Sequence, residues 1–350
     1  MQRFGYGLLV AALACVVMAL VVFVGEGIDA YYRSRLVDMV HGTAYRPYVY
    51  RVLVPGAARI GTAMVPAGVK RALTRAFEAW PQRPAGLVPA FATEYLLVVL
   101  VMAGSLVGFV WALRRFFRAV FPEPPARVVD IASLVALGFV PVFFGPFSRQ
   151  IYDFTTLWLF ALGLALMAES KWRAYAILFP LACLNKETAI LLALVFVVHF
   201  VRTDDRVSPR DFRRLLVWQL AVFAVLRAAV TYAFRNNPGE AVELHLFDHN
   251  QWVLLHPQTM SKRLPLLIAV CAAGAWGWRG KPQFLRDAFL TLAPILLVIG
   301  VTVGQIDEIR VYYELYPLVV LMAADSACRA LGTPLCVSRR RGDAVTRALA

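Results

Sequence analysis

Residues Leu8 to Val24, LLVAALACVVMALVVFV, carry no charge, and with the few residues before them they are long enough to cross a bilayer as a helix. Inside hydrocarbon a segment must satisfy its own backbone donors and acceptors, so a chain with many such runs is confined to a bundle of helices. Nine more apolar runs follow the first. Together the spans lie at roughly 5–24, 92–113, 128–147, 152–168, 173–184, 187–201, 215–234, 264–278, 287–304 and 311–328. The fold class is therefore all-α: a polytopic transmembrane helix bundle of about ten spans. The fifth and sixth runs are short and Pro180 lies in the fifth, so that pair reads as a broken or re-entrant hairpin.

Composition agrees. The chain is 60% hydrophobic and 17% charged with a mean hydropathy of +0.64, whereas an ordinary soluble domain is about 45–50% apolar. A net charge of +14 would suit a nucleic-acid partner, but the basic residues fall in short clusters between apolar runs, so no nucleic acid is expected. Of five cysteines, Cys15, Cys183 and Cys271 lie inside apolar runs and Cys328 and Cys336 flank the last; with no CxxC pair, neither a metal site nor a disulfide framework is indicated. The first apolar run continues nine residues past Cys15, so it reads as an uncleaved span and not as a leader.

Alternate short loops are basic: Arg114, Arg115 and Arg118; Lys171 and Arg173; Arg202, Arg206, Arg210, Arg213 and Arg214; Arg279, Lys281 and Arg286; Arg339, Arg340 and Arg341. The positive-inside rule puts these loops and both termini in the cytoplasm, and the loops 25–90, 148–151, 185–187, 235–263 and 305–310 outside. No repeat of fixed period and no low-complexity linker divides the chain. It reads as one membrane domain over 1–330, with an external insertion at about 25–90, and a short basic cytoplasmic tail over 331–350. Within the insertion Val69, Leu73, Ala76, Phe77 and Trp80 recur at helical spacing opposite Lys70, Arg71, Arg75 and Glu78, which predicts a helix lying in the interface plane.

Each external loop carries ionisable groups. Glu26 and Asp29 stand three residues apart directly behind the first span, and Arg46 and Arg51 follow in YRPYVYR. Later loops supply Arg149 and Asp153; Lys186 and Glu187; His245, Asp248 and His249; Asp307, Glu308 and Arg310. A charge at a helix centre costs about 2.5–3.5 kcal/mol on the insertion scale and usually faces a polar cavity or a partner, so five charged loops on one face predict a cleft.

Blander readings stand beside this one. Arg149 with Asp153 and Arg310 with Glu314 have the spacing of helical ion pairs, and Lys186-Glu187 has the look of a solvated turn. Arg227, apolar on both sides in AVFAVLRAAVTYAF, either snorkels to a structural carboxylate or forms an anion site inside the bundle. His199 reads as structural, and His245, His249 and His256 lack a ligand spacing, although His249 counts among the candidate substrate contacts. GxxxxGK[ST], GxGxxG after a strand, HExxH and GxSxG are all absent from the sequence.

The acidic pair after the first span, YRPYVYRVLVP, YDFTTLWLFALGLAL, LNKETAILLALVF and EIRVYYELYPL resemble the bacterial integral-membrane proteins related to the GT-C superfamily of glycosyltransferases, over most of Gly5 to Met322. The resemblance implies a multi-pass protein of the bacterial inner membrane whose donor is a polyprenyl-phosphate-linked sugar and whose acceptor is a glycan or lipid at the external face. It further implies Asp29, with Glu26 as the other candidate, as base on the acceptor hydroxyl. Arg310, with Arg51 and Lys186 beside it, would hold the donor phosphate. Arg46, Arg149, Asp153, Glu187, Arg227, His249 and Glu308 complete the candidate substrate contacts. The resemblance fixes no cofactor, and a divalent cation stays an open candidate. A transporter or flippase of a lipid-linked glycan, or an assembly subunit of a polysaccharide system, would present the same basic cleft without needing Asp29 as a base.

Overall fold

The computed structural model describes residues 2–23, 29, 31–81, 86–143, 150–203, 207–256, 263–306 and 308–335. Glu26, Arg149, Asp307 and residues 336–350 of the basic tail lie outside the described residues.

Among the described residues the chain is all-helical, with no strand and a single isolated bridge between Arg46 and Gly239. A helix overlaps each of the ten apolar runs: α1 (Gln2–Phe23), α5 (Ala92–Val120), α6 (Ala126–Phe143), α7 (Asp153–Ala168), α8 (Trp172–Asn185), α9 (Ile190–Thr203), α10 (Pro209–Ala233), α12 (Arg263–Ala275), α13 (Gln283–Thr302) and α14 (Tyr316–Ala330). The segments between these helices add α2 (Leu36–His41), α3 (Leu53–Met64), α4 (Ala67–Glu78) and α11 (Gln251–Leu255).

Crossing about 30 Å of hydrocarbon at 1.5 Å per residue takes about 20 helical residues. Four helices meet that requirement by length and composition: Phe4–Phe23, Pro89–Val120, Pro209–Ala233 and Gln283–Thr302. Several helices are thus able to span a membrane, which suggests a membrane protein. Among the described residues the other six fall below that requirement, and α6, α9 and α12 each adjoin residues outside the described set. In the last run, Ile309–Leu315 is a 3₁₀ helix and α14 begins only at Tyr316. Pro317, with no N–H to give to a preceding carbonyl, is tolerated in a first turn but not further in. In the expected hairpin, α8 carries Pro180 inside it, and one 3₁₀ turn, Glu187–Ala189, leads into α9.

The core runs along α5. Phe109, Phe116 and Phe117 of α5 and Phe160 of α7 are fully buried. Close approach of α5 and α7 depends on Gly108, where a Cβ would stand 2.6 Å from the Trp158 ring. Small residues that let backbones approach are the usual means of packing helices where the hydrophobic effect is absent.

The helix expected in the interface plane is α4, which buries none of its residues. Phe77 holds it to the bundle by stacking on Tyr95 at 5.9 Å and meeting Trp80 edge-on at 5.6 Å, while Val69 is exposed. At the end of the bundle bearing the basic loops, Lys281 is no solvated charge. Its buried Nζ donates to the Met322 carbonyl (2.7 Å), Asp325 (2.9 Å) and Ser326 (2.8 Å), which fastens the α12–α13 loop to α14.

Candidate functional site

The segment between α1 and α5 is fixed by a clip from the loop after α10. Asn237 Nδ2 donates to the carbonyls of Gly42 and Ala44, both at 2.9 Å, and the Arg46 N–H donates to Pro238 O at 2.8 Å. The Arg46 guanidinium donates to Gly239 O at 2.5 Å. Gly239 has φ +86°, and a Cβ there would lie 2.6 Å from the Arg46 carbonyl oxygen, so only glycine fits. Arg46 is therefore committed to the clip and is not among the residues lining the cavity beside it.

That cavity encloses about 450 Å³, and its wall comes from six stretches distant in sequence, one of them Ala241 to His245 after α10. Arg51 enters from the turn after Tyr48–Tyr50, Asp153 from the first residue of α7, and Lys186 and Glu187 from the loop between α8 and α9. Arg227 enters from α10, and Glu308 and Arg310 from the segment before α14. Seven of the sequence candidates are thus brought together.

Their pairing is specific. Arg51 reaches Glu187 with two N–H groups, at 2.7 and 3.3 Å, and its guanidinium stands over the Tyr152 ring at 4.4 Å and the Tyr48 ring at 5.3 Å. Arg227 lies 4.0 Å from the same carboxylate and 5.1 Å from the Tyr50 ring, so its charge is partnered within the site. Burial alone would raise the Glu187 carboxyl, but the Arg51 charge and its hydrogen bonds outweigh burial and bring it down to about 2. Burial likewise opposes the Arg51 charge, and Glu187 more than restores it, leaving Arg51 raised.

Arg310 donates to Glu308 and lies 3.5 Å from Asp153. Burial works against its charge, and the two carboxylates overcome that and raise its pKa. Asp153 also accepts the Tyr313 hydroxyl at 3.1 Å, and Lys186 donates to Tyr313 at 2.9 Å and to Glu314 at 3.3 Å. The expected helical pair of Arg310 with Glu314 is replaced by these contacts. In a 3₁₀ turn residues three apart eclipse, so positions 310 and 314 do not share a face.

Asp29 stands outside the lining. Its Oδ1 accepts the Leu36 N–H at the start of α2 at 2.5 Å, and its Oδ2 accepts the Tyr95 hydroxyl of α5 at 3.0 Å. Burial raises its carboxyl above the ordinary value, against the pull of these two bonds. The expected pocket of Asp29, Arg51, Lys186 and Arg310 therefore contains the three cations, and Asp29 sits two residues before Tyr31, which does line it. His249 belongs to the turn Leu246–Asn250 and is not in the lining, whereas His245 is.

Sequence reasoning passed over Glu243. It accepts from Arg33 at 2.6 Å and from the Tyr48 hydroxyl at 3.1 Å, and His245 Nε2 lies 3.7 Å away. Its only sequence signal is a carboxylate in a loop otherwise noted for its histidines. The tyrosines 31, 48, 152 and 313 also face the cavity. Four cations thus meet four carboxylates, Asp153, Glu187, Glu243 and Glu308, among aromatic rings. Such a wall is suited to an oxyanion and to a hydroxyl-rich group at once. Among the described residues no cluster of three or more His, Cys, Asp or Glu is arranged to hold a metal ion.

No protein-family model matches the chain, and no curated protein matches it.

Proposed function

We propose that this chain is a membrane glycosyltransferase of the GT-C kind, moving a sugar from a polyprenyl-phosphate-linked donor to a glycan or lipid acceptor at the external face of a bacterial inner membrane. One observation carries the reading. Arg51, Lys186, Arg227 and Arg310 meet among tyrosines in one cavity, and that cavity shares Tyr313 with an apolar groove of about 440 Å³ between α6 and α14. A phosphate in the first and a lipid chain along the second is the arrangement a lipid-linked donor needs.

In this reading the acceptor oxygen attacks the anomeric carbon as the bond from that carbon to the phosphate oxygen breaks, inverting the centre. The acceptor proton passes to Asp29, with Glu26 as the alternative base, and Arg310 stabilises the charge that develops on the departing phosphate. A carboxyl raised by burial is a stronger base than an exposed one. Asp29 would meet the acceptor at the Tyr31 edge of the cavity. The ten apolar runs make up the membrane bundle in this reading, with the short α8 and α9 as its re-entrant pair, and both termini are cytoplasmic. A cysteine at the exposed position 240 should then react with an impermeant thiol reagent from outside, and protection there would contradict the sidedness.

A transporter or flippase of a lipid-linked glycan is the second reading, favoured by the balanced charge of the cavity and by Asp29 lying outside its lining. Transfer of labelled sugar from a polyprenyl-phosphate donor in proteoliposomes separates the two. The enzyme reading requires glycosylated product from the purified protein, and donor movement across the bilayer with no product would replace it with the transport reading.

A further inference from the structure

Glu314 lies directly behind the cavity wall and is completely buried. Its Oε1 accepts from the Thr188 hydroxyl at 2.5 Å and from Lys186 at 3.3 Å, while its Oε2 has no hydrogen-bond partner among the described residues. A fully buried carboxylate oxygen without a partner calls for an explanation. The titratable groups facing this carboxylate are Lys186, the neighbouring Tyr313 and, through the Tyr313 hydroxyl, Asp153.

The other carboxylates of the site are held differently. Glu187 keeps two N–H groups of Arg51 and the nearby Arg227; Glu243 keeps Arg33 and Tyr48; Asp153 keeps Arg310 and Tyr313. Glu308 is held by Arg310, whose guanidinium has five N–H donors and can add an anion without releasing it. Glu314 depends instead on a lysine, and that cation, Lys186, lines the cavity. Its ammonium is a compact charge on a flexible stem, closer to Tyr313 than to Glu314.

We infer that an anion bound in the cavity draws Lys186 away from Glu314, and that Glu314 then takes up one proton from solvent on Oε2, so that anion binding and proton uptake are a single coupled event. The physical ground is that a fully buried carboxylate without its counter-charge is less stable than its neutral form near neutral pH. One proton enters for each anion, no covalent bond changes, and Oε1 remains as the carbonyl oxygen that accepts from Thr188. The inference rests on the reading that the cavity binds a lipid-linked phosphate and adds the coupling to it.

The test uses methyl farnesyl phosphate, a phosphodiester with no titration of its own near neutrality, and the whole protein in nanodiscs. Calorimetric titration in two buffers of different ionisation enthalpy counts the protons exchanged on binding. The native protein should take up about one proton, and its affinity should fall by about tenfold per pH unit as pH rises through the coupled range. Glu314→Gln should bind with no proton uptake and no pH slope. Binding by the native protein without proton uptake, or the same uptake in Glu314→Gln, would overturn the coupling. Failure to bind at all would remove the reading of the cavity beneath it. Should Glu314→Gln not fold, infrared difference spectra decide. A protonated-carboxyl C=O band should appear on binding and shift in Thr188→Val, which removes the donor to Oε1; no band, or one that Thr188→Val leaves in place, overturns the inference.

Discussion

Arg51 and Glu187 lie 136 positions apart in sequence and are joined by two hydrogen bonds, the shorter of 2.7 Å. That pair ties the segment between α1 and α5 to the loop between α8 and α9 and forms one wall of the cavity. Removing Arg51 should leave Glu187 with the more distant Arg227, and removing Glu187 should cost Arg51 its carboxylate in a largely enclosed place, whereas removing both removes the problem as well as the bond. A double-mutant cycle with Arg51→Met and Glu187→Gln, read by thermal unfolding in detergent, should therefore give a coupling energy of about 1–3 kcal/mol. Additive effects of the two substitutions would show the pair to be incidental.

The same pair sets a pH dependence. The Glu187 carboxyl is held near 2 in the folded chain against an ordinary value of 4.5, with burial opposing and Arg51 prevailing. A depressed acid contributes stability that is fully present above its unfolded pKa and is lost as pH falls towards its folded one. The melting temperature of the native protein should fall more steeply than that of Glu187→Gln between about pH 4.5 and 2. Parallel curves would mean that the ion pair contributes nothing to folding.

Asp29 poses a choice between a strut and a base. Asparagine can still accept the Leu36 N–H through its oxygen, and the Tyr95 hydroxyl can turn to accept from the amide, so Asp29→Asn should fold at a cost of about 1 kcal/mol. As the base, its loss should lower turnover by about 10²–10⁴-fold with donor affinity little changed. Because burial raises this carboxyl, the acid limb of the native pH profile should lie above the ordinary value of 3.8 and vanish in the variant. Near-native turnover by a folded Asp29→Asn protein would assign Asp29 to holding α2 against α5.

The clip between the first segment and the loop after α10 hinges on Gly239. Alanine there adds strain at φ +86° and a contact of 2.6 Å with the Arg46 carbonyl oxygen, which has no flexible end to move aside. Gly239→Ala should destabilise the clip by about 1–3 kcal/mol and open the loop to proteolysis well before global unfolding. Cleavage at the native rate would mean the clip does not hold the loop in place.

The helices were legible because apolar length is a direct consequence of crossing hydrocarbon, and every apolar run has a helix on it. Their ends were less so. Local chemistry decides them, as where Pro317 delays α14 and leaves 309–315 as 3₁₀ turns. The charged members of the site were visible as charges out of place in an apolar chain. Their partners were not: Glu243 meets Arg33 across 210 positions, and nothing local marks it off from a solvated carboxylate. Asp29 shows the opposite limit. Its position beside Tyr31 was plain, but the direction of its side chain is set by Leu36 and by Tyr95, 66 positions away.

The claim on which the rest depends is that the phosphate end of a lipid-linked sugar sits between Arg51, Lys186 and Arg310. Photolabelling tests it most directly, using a polyprenyl phosphate with a diazirine on the isoprene unit next to the phosphate, followed by peptide mass spectrometry of the native protein. The account predicts adducts within residues 48–51, 186–188 and 303–313, suppressed by unlabelled donor and strongly reduced in Arg310→Ala. Adducts confined to other surfaces, or adducts in these segments that Arg310→Ala leaves unchanged, would contradict it.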